Sequence, residues 1–148
     1  MDIKIQHIRA GTKNRQLKDF LIKTDCFFMP NLSSRVNIED YIEKIMEFAD
    51  HFCAFDDLDN VVACGSVYFN NKEIGYITSF VVDPNIQHQG YGTLIMCKIL
   101  EEARREKINK IDCEVFVDNQ KALKFYKKNG FEIKELSGNW IKMGKSIE

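Results

Sequence analysis

The chain predicts a mixed α/β fold, a sheet carrying helices on both of its faces. Period-two and period-3.6 apolar runs follow one another in the order β-α-α-β-β-β-α-β-α-β-β, which suits a mixed sheet covered on two sides. A strand-like run from Gly75 to Val82 ends at Pro84 and passes through a glycine turn into a helix-like run from Thr93. With 148 residues and 45% hydrophobic content there is material for one sizeable core, so residues 1–148 read as a single domain.

Taken in order, Ile3 to Ile8 alternates as a first strand. Gly11 to Lys18 opens a helix that carries Phe20, Leu21 and Ile22. The stretch from Cys26 to Arg35 is apolar but broken by Pro30 and by capping residues, and reads as a loop between helices. Asn37 then caps a second helix, with Asp40 near its positive end and Ile42, Ile45, Met46 and Ala49 as its buried stripe. Phe52 to Phe55 is a short strand, and Asp56 to Asn60 is a turn without the ligand spacing of a calcium loop.

Val61 to Phe69 and Ile74 to Val82 form a hairpin about Asn70-Asn71-Lys72, where asparagine suits positive φ. The helix from Thr93 repeats apolar residues at Met96, Ile99, Leu100 and Ala103, leaving Lys98, Glu101, Arg104 and Arg105 wet. Lys110 to Val117 is a strand. Asp118 or Asn119 caps the short helix after it, on which Ala122, Phe125 and Tyr126 share a face, and Gly130 is its left-handed stop. Phe131 opens another strand, and the tail to Ile147 pairs two strands around Ser137-Gly138-Asn139, with Trp140 read as core.

A formal net charge of −1 gives no general attraction to nucleic acid or to an anionic membrane, and no apolar run reaches spanning length. The five cysteines lack a Cys-x-x-Cys spacing and the three histidines are scattered, so no metal site is expected. Buried free thiols and a first strand without a signal-peptide core point to the cytoplasm.

The turn Gln87-His88-Gln89-Gly90-Tyr91-Gly92-Thr93 carries the chemistry. A glycine turn at a helix start leaves several backbone N–H groups aimed at one point, where the helix dipole favours an anion. It has neither the Lys-Ser/Thr pair of a Walker turn nor the glycine spacing of a dinucleotide fingerprint. Val82-x-Pro84-x-x-Gln87-x-x-Gly90-x-Gly92, followed by Asn119-x-x-Ala122-x-x-x-Tyr126-x-x-x-Gly130-Phe131, resembles the GCN5-related N-acetyltransferase (GNAT) superfamily, over roughly Gly75 to Ile133.

That resemblance implies a twisted, mostly antiparallel sheet whose central strands splay apart, with acetyl-CoA lying in the split. It implies transfer of the acetyl group to a primary amine by direct attack in a ternary complex. Residues 87–93 would then hold the pyrophosphate, although Gln87 and Gln89 stand where many relatives are basic, so the turn carries no fixed positive charge. Phe80, Val81 and Val82 would offer a strand edge to the pantetheine arm, with a backbone N–H polarising the thioester carbonyl. Asn119 would approach the same arm as well as cap its helix.

Tyr126 would act as general acid. A phenol of pKa about 10 stays protonated at neutral pH and can hand its proton to a departing thiolate, whose parent thiol has pKa about 8.5. Many relatives place a Glu on the strand before the turn as base. Gly75 to Phe80 holds no carboxylate, leaving a water relay through Tyr76 or Ser79 as the expectation.

The acceptor pocket is expected at the loop from Phe28 to Arg35, with Arg35 either clamping a carboxylate or phosphate or simply solvated. Three readings stay open for the acceptor: a small-molecule amine, which leads, a protein lysine or N-terminal amine, and no acceptor at all in a non-catalytic acyl-CoA sensor. The expected assembly is a monomer or homodimer.

Overall fold

The computed structural model describes residues 4–25, 28, 34–86 and 90–147. Seven strands form a single sheet in the order β1-β2-β3-β4-β5-β7-β6. They are β1 (Lys4–Ile8), β2 (Asp50–Phe55), β3 (Val61–Tyr68), β4 (Ile74–Val82), β5 (Lys110–Phe116), β6 (Glu132–Ser137) and β7 (Trp140–Ser146). Every neighbouring pair is antiparallel except β4 with β5. The helices are α1 (Arg15–Lys23), α2 (Ile38–Phe48), α3 (Tyr91–Arg105) and α4 (Gln120–Lys128). The element order is the one the sequence predicts, with a 3-10 turn at Pro84–Ile86 between β4 and α3.

Local chemistry sets most boundaries. Asn14, Asn37 and Asn119 each cap a helix by accepting a backbone N–H from three residues on, at 3.0, 3.1 and 3.1 Å. Gly130 closes α4 at φ +91°, the left-handed value a glycine adopts without Cβ strain. Two cores follow from the alternation of the strands. Ile95, Met96 and Ile99 of α3 and Tyr126 of α4 pack on Phe52, Ile111 and Met143. On the opposite face Leu17, Leu21, Ile42 and Ile45 of α1 and α2 cover Cys53, Cys64 and Val81.

The parallel pair is short. β4 and β5 pair only from Ile74↔Lys110 to Ile77↔Cys113, after which Thr78–Val82 and Glu114–Phe116 run apart. Part of the cause is a bulge: Ser66 pairs with Ser79 but Val67 with Ile77, so Thr78 is an extra residue that bends β4. The Tyr41 hydroxyl of α2 donates to the freed Thr78 carbonyl at 3.0 Å and lies 2.7 Å from Thr78 Oγ1.

Several expectations are corrected. α3 begins at Tyr91, two residues earlier than Thr93, because Gly90 at φ +84° is itself the N-cap. Asn70 and Asn71 do not take positive φ; instead the Asn71 side chain accepts the Glu73 N–H at 2.8 Å, so a side-chain turn shapes the hairpin. Ile22 is exposed on α1, while Leu17 takes the buried place. Trp140 belongs to neither core: it is half-buried on the open face of β7 against Phe116. Cys53, Cys64 and Cys113 are buried free thiols as expected, but Cys97 is exposed, and Cys26 lies outside the described residues.

Candidate active site

Where β4 and β5 part, a groove of about 570 Å³ opens between β4, the start of α3 and α4. Phe80, Val81, Val82, Gly90, Tyr91, Gly92, Thr93, Asn119 and Tyr126 line it, so the structure brings together the described residues expected to meet the cosubstrate. Gln87, His88 and Gln89 lie outside the described residues, as do Met29 to Ser33 of the predicted acceptor loop.

The start of α3 shapes one end of the groove. The first amide to close on the helix is Leu94 N–H, which donates to Gly90 O at 3.1 Å, so those of Gly92 and Thr93 have no intrahelical acceptor. Gly92 is needed for a different reason from Gly90. A Cβ at Gly92 would stand 3.2 Å from Phe125 Cε1, so the bare backbone lets α3 close on α4. The β4 edge forms the wall. Asp83 N–H donates to Val62 O, and the alternation of an antiparallel ladder therefore turns the Phe80 backbone groups away from β3, toward the split.

Tyr126 sits at the base of the split. Its ring is held by Phe80, Phe125 and Phe131, with centroids 6.4, 5.5 and 5.3 Å away. Burial, then the nearby Cys113 and Tyr76 groups, push its hydroxyl well above the ordinary phenol value, so it is a protonated donor throughout the neutral range.

The groove carries a charge that neither sequence motif includes. Lys121, Lys124 and Lys128 of α4 line it, supplying the positive potential that residues 87–93 lack. Their spacing of three, four and seven on a capped helix already placed them on one face.

The far side of the split is a second, aromatic surface. Tyr76 faces it from β4, half-buried, and Tyr41 reaches it from α2. Phe116 and Trp140 meet edge to face at 5.5 Å, and the Arg35 guanidinium lies 4.8 Å from the Trp140 ring centre. Arg35 is thus stacked on β7 from the α1–α2 connection and not merely solvated. Phe28 is half-buried against the α1–α2 core. Burial, and then the Glu114 charge, raise the Tyr76 hydroxyl beyond the phenol range, with Arg35 opposing. Ser79, the other proposed relay residue, is buried on the α2 side of β4.

The model of the acetyltransferase (GNAT) family matches residues 20–131. The chain belongs to that family. Among curated proteins, an uncharacterized N-acetyltransferase of Methanocaldococcus jannaschii is 35% identical over 89 residues, which is 58% of this chain and 39% of that protein. The uncharacterized protein YdhI of Bacillus subtilis is 22% identical over 99 residues, 67% of this chain and 60% of its own length. The chain therefore matches less than two thirds of the length of either relative.

Solved GNAT structures are similar over nearly the whole chain. PaiA N-acetyltransferase from Thermoplasma acidophilum, in complex with coenzyme A, superposes with a TM-score of 0.80 at 17% identity, covering 99% of each chain. A GNAT family acetyltransferase from Elizabethkingia anophelis, with acetyl-CoA bound, gives 0.74 at 18% identity and 97% coverage of each. At these identities the likeness establishes the GNAT fold, including the mostly antiparallel seven-stranded sheet with helices on both faces.

Proposed function

We propose that the chain is an acetyl-CoA-dependent N-acetyltransferase, a single catalytic domain that acetylates a primary amine of a small molecule. The observation that carries this reading is the split between β4 and β5, with Tyr126 at its base and a lysine-lined groove on one side. Acetyl-CoA is bound in the Elizabethkingia anophelis structure and coenzyme A in the PaiA structure described above.

The residues present fit coenzyme A. The amides of Gly92 and Thr93, at the positive end of α3, suit its diphosphate, and Lys124 and Lys128 suit its remaining phosphate charge. Asn119, whose side chain caps α4, borders the pantetheine arm, and the β4 edge from Phe80 to Val82 pairs with that arm. Acetyl-CoA supplies the activated acetyl group. The Phe80 N–H stabilises charge on the carbonyl oxygen, and Tyr126 protonates the departing sulfur. The acceptor arrives from the aromatic side, bounded by Tyr76, Phe28 and Arg35, with Arg35 taking an anionic group of the acceptor.

Small acceptors are favoured over protein ones because the aromatic surface is bounded by Arg35 on Trp140. Thiol release from acetyl-CoA against a panel of small amines and peptides tests the reading. Release with small amines supports it, release with peptides alone moves the acceptor to proteins, and tight acetyl-CoA binding without release leaves a sensor. The expected setting is the cytoplasm, and no helix among the described residues is long and apolar enough to cross a membrane.

The lysines give a separate prediction. Replacing Lys124 and Lys128 together by alanine is expected to raise the KM for acetyl-CoA roughly tenfold with kcat little changed, since they bind but do not react. The added salt dependence of the wild-type KM should shrink in the variant. Steady-state kinetics at two ionic strengths checks both.

A further inference from the structure

The sequence offers no carboxylate on β4 to take a proton from the incoming amine, yet the fold supplies one from the neighbouring strand. Cys113 is the last β5 residue paired with β4, and Glu114 is the first one past it, at the mouth of the split. Ile111, Cys113 and Val115 are buried toward α3 and α4, so Glu114 points to the other, aromatic face and is exposed there. It makes no ion pair or hydrogen bond among the described residues. We propose that the Glu114 carboxylate binds the ammonium group of the acceptor at this mouth and takes its proton, so that the neutral amine attacks the thioester. This deepens the N-acetyltransferase reading and rests on it.

The surroundings suit a cation. Tyr76 of β4 stands beside Glu114, close enough for the carboxylate charge to oppose ionisation of its hydroxyl. Phe116, two residues on along the same face of β5, and its cross-strand partner Trp140 extend an aromatic wall. The other charges on this face are placed differently. Lys142 of β7 lies across from Glu114, and Glu135 of β6 lies across from Lys142. Arg35 is stacked on Trp140. Asp112 shares the face but sits in the paired part of β5, buried, with Lys110 Nζ at 3.8 Å. Glu114 is thus the carboxylate available where the strands separate.

The protons balance. Glu114 takes one proton from R–NH3+, freeing the nitrogen lone pair. The N–C bond forms, the C–S bond breaks, and Tyr126 gives its proton to sulfur. The second proton lost by nitrogen restores the Tyr126 hydroxyl, and Glu114 releases its proton to solvent. The products are the amide and the free thiol.

The test compares wild type with Glu114→Gln and Glu114→Asp in thiol-release assays across pH, with thermal melts confirming that both variants fold. Glu114→Gln is expected to lose roughly 10²- to 10³-fold in kcat/KM for an alkylamine near neutral pH. Its deficit should shrink as pH rises toward the alkylammonium pKa of about 10.4, because solvent then removes the proton that Glu114 would have taken. Glu114→Asp should recover part of the loss. A deficit unchanged with pH, or a Glu114→Gln protein as active as wild type, overturns the assignment while leaving the acetyltransferase reading intact. Absence of release by the wild-type protein overturns both.

Discussion

Tyr126→Phe is expected to lower turnover roughly 10²- to 10⁴-fold while the protein stays folded, the range for removing a general acid. The ring is held by Phe80, Phe125 and Phe131, and phenylalanine keeps all three contacts. The hydroxyl has no hydrogen-bond partner among the described residues, so its removal strands no buried group. What is lost is a proton. Burial holds that hydroxyl neutral far above neutral pH, and the thiolate leaving acetyl-CoA needs a neutral donor beside it. The KM for acetyl-CoA should barely move, because phenylalanine keeps the ring that lines the groove and the other lining side chains are untouched. Steady-state thiol release with purified protein reads both quantities, and unchanged turnover would remove Tyr126 from the chemistry.

The sequence made this residue legible because its neighbours share a local grammar. Asn119 as cap, Ala122 and Phe125 on the apolar face and Gly130 as stop fix α4 within one short segment, and Tyr126 follows from that register. The glycine turn was legible for the same reason. Features that depend on strands far apart in the chain were not. Glu114 reads as one polar residue in an alternating strand, and only the end of β4–β5 pairing at Cys113 gives it a place. Trp140 reads as core, until β7 is found beside β5 with Trp140 and Phe116 outside both cores. Glu102 lies beside Glu101 on α3 and nothing in the helix spacing of Lys98, Glu101, Arg104 and Arg105 singles it out. In the fold it is buried, with Arg105 at 3.1 Å and Arg9 of the β1–α1 connection at 3.8 Å. Charge spacing on one helix cannot report a partner that arrives from elsewhere in the chain.

The largest stability effect is expected at His51, on the opposite face of the sheet from the lysine-lined groove. His51 is fully buried in β2, and both ring nitrogens are engaged. Nε2 lies 3.0 Å from the Ile45 carbonyl, which can only accept, so Nε2 carries the proton. Nδ1 is then the acceptor for the Ser66 hydroxyl at 2.7 Å. The ring therefore ties α2 to β3, and α2 also carries Tyr41 to the Thr78 bulge that helps open the split. His51→Ala leaves a cavity and takes the His51 partner from the buried Ser66 hydroxyl and from the Ile45 carbonyl, which keeps the Ala49 N–H at 2.9 Å, for a loss of about 3–4 kcal/mol, or about 10 °C in Tm for a chain of this size. His51→Phe restores volume but not the hydrogen bonds, and should lose about 2 kcal/mol. Adding Ser66→Ala to it removes the hydroxyl that lost its His51 acceptor, so the double variant should be more stable than His51→Phe alone. Urea titrations of the four proteins separate the packing contribution from the hydrogen bonds. A double variant no more stable than the single one would show that the Ser66 hydroxyl contributes nothing to holding α2 on the sheet.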